Sequence, residues 1–289
     1  MPRRKLPDLT PEQVVNAQDA LLANADRLLS AALAVLDLDN VGLARSLAIL
    51  GMEESGKAIA IHERRVAMAF APEGEPFVTE EFSDLWASHQ RKLELVHRFL
   101  VAEQYWFGVE PSNPDDNRAY LGAIRSWTKR HDKLKQRGFY VDLDRSGNPL
   151  TPDAVADRET MADVIRHVHQ IGWQLRLGEH IEASSQAQYA EAVPPATEAD
   201  MDRWRAILSG MGDEEFVENL LAGLREGKAA RPLNNDAYRL KLRPADADPF
   251  ADLGKPGYEA EARELAWMME ELDVKDAERA AQAEAAEDA

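Results

Sequence analysis

The feature that most constrains the fold is a run of apolar residues at helical spacing: Val14, Ala17, Leu21, Leu22, Ala25, Leu28, Leu29, Ala32 and Leu36. Side chains recurring every three or four positions share one face of an α-helix, so this stretch presents a single stripe for burial. Just before it, Thr10 is placed to cap, Pro11 suits the first helical position, and Gln13 completes a capping box. A helix with one apolar side needs partners to cover that side, and the rest of the chain supplies them.

A second helix is predicted over about residues 41–70, with Leu43, Leu47, Leu50, Ala58 and Ile61 in the core, and the proline-bearing segment 71–76 stops it. Further helices are expected at about 80–105, 116–136 and 152–185, the last started by Thr151-Pro152. Short connections and one apolar side per helix give an all-α fold, an antiparallel up-and-down helical bundle over residues 1–185. Between the fourth and fifth helices, Gly138-Phe-Tyr-Val-Asp-Leu-Asp-Arg-Ser-Gly-Asn-Pro149 reads as a small β-hairpin. Asp142, Asp144, Ser146 and Gly147 also follow the opening of a calcium loop. However, Asp153 stands where a bidentate Glu belongs and prolines interrupt the return, so calcium is not expected.

From Gln186 the character changes to an acidic extension, residues 186–289. It holds short helices at about 197–210 and 213–226, a loop rich in Pro, Asp and Gly at 227–257, and a last helix at about 258–287. Net charge is −18, and the extension carries 24 acids against 12 bases, whereas residues 1–185 carry 28 against 22. Such acidity argues against indiscriminate nucleic-acid binding, which depends on neutralising phosphates. There are no cysteines, so disulfides and thiolate metal sites are excluded. No apolar stretch is long enough to span a bilayer, so no membrane partner and a cytoplasmic location are expected. His167 and His169 have no carboxylate at metal-ligand spacing, and neither a metal nor any other cofactor is expected.

Against this acidic background one segment is basic: Arg125, Lys129, Arg130, Lys133, Lys135 and Arg137 accompany a single acid, Asp132. One account is a solvated face that complements the acidic tail. The other is an RNA-binding surface of Arg125, Lys129, Arg130, His131 and Lys135, in which Trp127 stacks on a base. On the second helix, Lys57 lies one turn beyond both Glu53 and Glu54, available for an ion pair or for turning a carboxylate toward a neighbouring helix. On the third, His89 and Lys92 share a face at i,i+3 spacing and can meet those carboxylates. Imidazole titrates near neutral pH and suits acid–base work, and Lys92 suits a phosphate.

Three clusters in this order, Glu53-Glu54-Ser55-Gly56-Lys57, His89-Gln-Arg-Lys92 and Lys135-Gln-Arg-Gly-Phe-Tyr-Val-Asp142, resemble the motifs of AbiV proteins in the HEPN superfamily. The family pattern has Leu where Ser55 and Phe139 stand. The resemblance covers about 170 residues and stops near residue 185. It implies a phage-defence, abortive infection effector that arrests host growth or translation. HEPN ribonucleases cleave RNA without a metal through an Arg-x4–6-His pair, so a metal-independent endoribonuclease is implied as its chemistry. Two segments match that bare pattern, Arg91-x5-His97 and Arg125-x5-His131, but six residues turn a helix roughly 120° off the starting face. Family position favours Arg137 and Tyr140 beside Gly138, so the candidate catalytic set is Glu54, His89, Lys92, Arg137 and Tyr140, with Lys57 joining the RNA-binding residues. RNA, a phage-encoded activator and a second copy in a homodimer are the expected partners. The alternative is a non-catalytic helical protein that dimerises and binds a phage or host partner.

Overall fold

In a computed structural model, the described residues are 6–102, 113–152, 158–209, 214–242, 244, 246–248, 250–263, 265–269, 271 and 275. The fold is all-α: α1 (Pro11–Asp37), α2 (Val41–Phe70), α3 (Glu80–Ala87), α4 (His89–Ala102), α5 (Pro114–Leu121), α6 (Ile124–Phe139), α7 (Arg158–Tyr189), α8 (Glu198–Leu208) and α9 (Glu214–Glu226). A two-stranded antiparallel hairpin, β1 (Asp142–Leu143) and β2 (Pro149–Leu150), lies between α6 and α7 as expected, pairing Asp142 with Leu150 and Leu143 with Pro149. Contacts divide the chain into two compact units, one of Met1–Arg65, Pro76–Glu179 and Pro244–Ala289, the other of Val66–Glu75 and His180–Arg243.

α1 starts on the Thr10 capping box, in which Thr10 N donates to Gln13 Oε1 at 2.9 Å and Gln13 N donates to Thr10 Oγ1 at 3.3 Å. Its stripe of Val14, Leu21, Leu22, Ala25, Leu29 and Ala32 is buried. α2 differs from the expected one-sided helix. The expected core residues Leu43, Leu47 and Leu50 are half-buried on the face they share with Glu54 and Lys57, whereas Ala44, Ser46, Ala48, Ile49, Met52, Glu53, Ser55, Ala58, Ile59 and Ile61 are all buried, so most of its circumference is covered. Its small residues allow this. A Cβ on Gly56 would stand 2.7 Å from the Lys92 carbonyl oxygen of α4, and one on Gly51 would stand 3.3 Å from the Ala25 carbonyl oxygen of α1.

Two helices expected to be continuous are each broken. Ser88 adopts an extended conformation between α3 and α4, and its hydroxyl accepts from Arg91 N at 3.3 Å, so it closes one helix and caps the next. Gly122, at φ 76°, ends α5 with its N–H on the Arg118 carbonyl, and α6 restarts at Ile124. The expected end of the third helix at residues 103–105 and residues 153–157 of the expected fifth lie outside the described residues, as does most of the predicted last helix.

α4 packs against α3, α5 and α6. The crossing of α6 with α2 is tighter still, because a Cβ on Gly138 would meet the Gly42 carbonyl oxygen at 2.1 Å and Ser46 Oγ at 2.0 Å. Ser46 Oγ donates to the Lys135 carbonyl at 2.7 Å and locks this register. Gly138→Ala therefore forces two backbones apart and is expected to cost about 3 kcal/mol or more, measurable by urea unfolding.

A segment of the acidic extension belongs to the first unit. Arg176 of α7 donates from Nε and Nη2 to the Pro256 carbonyl at 3.0 and 2.8 Å, and its guanidinium pairs with Asp19 and Glu179 at 2.5 and 2.9 Å. Arg263 pairs with Asp26 of α1 at 2.8 Å and donates to His169 Nε2 at 3.0 Å. Residues 256–263 are thus strapped to α1 and α7. In the second unit, α8 packs on α9, and Val193 and Lys228 form a two-hydrogen-bond bridge at 2.9 and 2.8 Å.

Candidate functional site

Starting α4 at His89 puts His89 and Lys92 one turn apart on the face that meets α2, and Gly56 lets the two backbones approach. At their meeting lies Glu53, only 2% exposed. Its Oε2 accepts from His89 Nδ1 at 2.5 Å and lies 3.2 Å from Lys92 Nζ. Its Oε1 accepts from Lys135 Nζ of α6 at 2.5 Å. A carboxylate only accepts, so the His89 proton sits on Nδ1 and the Nε2 lone pair is free to take another. The His89 side chain is 61% exposed, whereas those of Lys92 and Lys135 are 7% and 9% exposed.

Burial pushes the Glu53 carboxyl up, but hydrogen bonds from Lys135 and His89 and the charges of both lysines outweigh it, and the group titrates below its ordinary range. Burial lowers the Lys92 ammonium, and the Glu53 charge opposes that shift. The arrangement is a buried anion held by two ammonium groups, with one imidazole pointing outward. It can hold a base or acid in a fixed tautomer at the protein surface.

The expected site is only partly assembled. Glu54 pairs with Lys57 at 2.7 Å and not with His89, and the Lys57 ammonium stands 5.3 Å from the Trp86 ring centroid. Glu53 therefore holds the place that sequence reasoning gave to Glu54. Lys92 is a buried partner of Glu53, which removes it as an exposed phosphate ligand. Arg137, half-buried in the last turn of α6, is not among the partners of Glu53, and Tyr140 is a 68% exposed residue just past the helix.

The basic segment is also sorted by burial. Arg125, Lys129, Arg130 and Lys133 are exposed, but His131 and Lys135 are buried and leave the RNA-binding surface. His131 Nδ1 donates to the Trp127 carbonyl at 2.8 Å, its ring lies 4.0 Å from the Trp127 ring, and burial pulls its pKa down to about 4. Trp127 is 2% exposed, so it cannot stack on a base. His97 is likewise internal, donating from Nε2 to the Gly122 carbonyl at 2.9 Å, while Arg91 reaches out to Asp84 at 3.8 Å. Neither Arg-x5-His match converges.

No three His, Asp or Glu side chains gather as a metal site among the described residues. In the hairpin loop, Asp144 Oδ1 is taken by the Ser146 and Asn148 amides, both at 2.8 Å, so it serves the turn. Sequence reasoning missed Trp86. It also chose Glu54, where the structure turns the adjacent Glu53 inward.

The family comparison assigns this helical bundle, with its polar cluster where α2, α4 and α6 meet, to the HEPN class. The AbiV family model matches residues 13–173, more than half of the chain, and the chain belongs to the AbiV family. Membership gives it a role in abortive infection, the phage-defence response. No curated protein and no solved structure matches the chain. Among the described residues, no helix is long and apolar enough to cross a membrane.

Proposed function

We propose that this protein arrests infected cells by acting on RNA, with His89 as the proton-transfer group and Glu53 as the buried residue that positions it. The observation that carries the reading is the Glu53–His89 contact at 2.5 Å, which fixes the imidazole tautomer and leaves Nε2 facing solvent. In the reaction, Nε2 takes the ribose 2′-hydroxyl proton, the 2′-oxygen bonds to phosphorus, and the bond to the 5′-oxygen breaks; that oxygen takes a proton from water, to which Nε2 then returns its own. The products are a 2′,3′-cyclic phosphate and a 5′-hydroxyl end, and no metal enters the balance.

The test is induction of the protein in bacteria with and without phage, beside His89→Ala, following growth and RNA integrity together. RNA decay that accompanies arrest and disappears in His89→Ala is the expected result. Arrest with intact RNA favours the second reading, a binding effector. One observation speaks for that reading: Arg137, which family position favours for the catalytic set, is not among the partners of Glu53.

A further inference from the structure

In a chain of net charge −18, exposed cations elsewhere are commonly paired with an acid one turn away: Arg118 with Asp115, Arg205 with Asp202, Arg239 with Asp236 and Lys255 with Asp252. The outer face of α6 is different. Arg125, Lys129, Arg130 and Lys133 are exposed and Arg137 half-exposed, and none has a carboxylate partner among the described residues. The helix has room for this because its buried arc is filled by Trp127, Thr128, His131, Lys135 and Gly138, and Asp132 is committed to Lys135 at 3.6 Å.

Arg125, Lys129, Lys133 and Arg137 follow one another at intervals of four, which spaces them about 6 Å apart along the helix axis in a gently turning row. The row runs to the end of α6, where Phe139 and Tyr140 are 40% and 68% exposed, with ring centroids 6.2 Å apart. The Tyr140 ring in particular is left largely uncovered by the fold. Cations in line with such rings have the composition of a strand-binding surface, where ammonium and guanidinium groups meet phosphates and rings stack on bases.

We propose that the outer face of α6 and the Phe139–Tyr140 pair form a track for single-stranded RNA, its phosphates on Lys129, Lys133 and their neighbours and a base against Tyr140. The inference rests on the reading of this protein as one that acts on RNA. The same helix turns Lys135 inward to Glu53, so one element carries both track and site. Single strand is favoured over duplex because a paired base has no face open to a ring, whereas a splayed one has.

The test is fluorescence anisotropy of the full-length chain with a dye-labelled single-stranded RNA of roughly 12 nucleotides and with the matching duplex, over a range of salt. Lys129→Gln with Lys133→Gln, both on the solvent face, is expected to weaken single-strand binding about ten-fold or more. It should also shrink the slope of log affinity against log salt by about 1.4, from about 0.7 per cation. Tyr140→Ala is expected to weaken binding about five-fold with the salt slope unchanged. His89→Ala is expected to bind like the parent, which separates the two proposals: binding along the track without cleavage sinks the cleavage reading and leaves the track. No RNA binding, equal affinity for duplex, or unchanged affinity in both track variants overturns it. Circular dichroism of each variant guards against loss of fold.

Discussion

Replacing Glu53 with alanine is expected to cost about 3–5 kcal/mol of stability. Glu53 is 2% exposed and is the counter-ion of both Lys92 and Lys135, which are themselves buried. Its removal leaves two ammonium groups in a poorly solvated place with no charge to offset them, and the cost is their desolvation rather than the loss of one contact. Urea unfolding of the pure protein measures it. The pH dependence follows from the same geometry. The folded carboxyl titrates below its unfolded value of about 4.3, so its stabilisation is complete above that value and is lost as pH falls through the folded one. The parent should therefore lose stability on acidification in a range where Glu53→Gln, already weakened, shows less change. A cost under about 1 kcal/mol would mean that water reaches this cluster, as at an exposed ion pair.

The second large effect is kinetic. His89→Ala is expected to leave the fold intact, because the side chain is 61% exposed and Glu53 keeps Lys92 and Lys135 as partners, while RNA cleavage falls by about 10²–10⁴-fold, the usual contribution of a positioned proton-transfer group. Glu53→Gln separates positioning from chemistry. An amide accepts or donates, so the imidazole is no longer held in one tautomer, and activity should fall although His89 is present. Rates from the purified variants, normalised to folded fraction, distinguish this from instability.

Much of the frame was legible in the sequence because apolar residues at helical spacing admit few other folds, as with the buried stripe of α1 and the hairpin after α6. The breaks at Ser88 and Gly122 were not, because a helical pattern resumes after one residue at the first and after two at the second. The confusion of Glu53 with Glu54 has a physical origin. Neighbouring residues on a helix point about 100° apart, and the phase read from Leu43, Leu47 and Leu50 is that of the half-buried face, which carries Glu54 and Lys57 and not Glu53. On α6 the problem is reversed. Thr128, His131 and Lys135 line its buried arc, so a composition that reads as solvated hides Trp127 in the core and sends Lys135 to Glu53. Sequence placed His89 beside second-helix carboxylates correctly because i,i+3 spacing on two adjacent helices is enough to bring such groups together.

The central claim is that a Glu53-held His89 moves protons on RNA, and the 3′ ends of RNA exposed to the purified protein test it most directly. The account predicts 2′,3′-cyclic phosphate ends that form equally well with a metal chelator present and disappear with His89→Ala. RNA left intact by a preparation that arrests growth when expressed, or cut at the parental rate by His89→Ala, would contradict it.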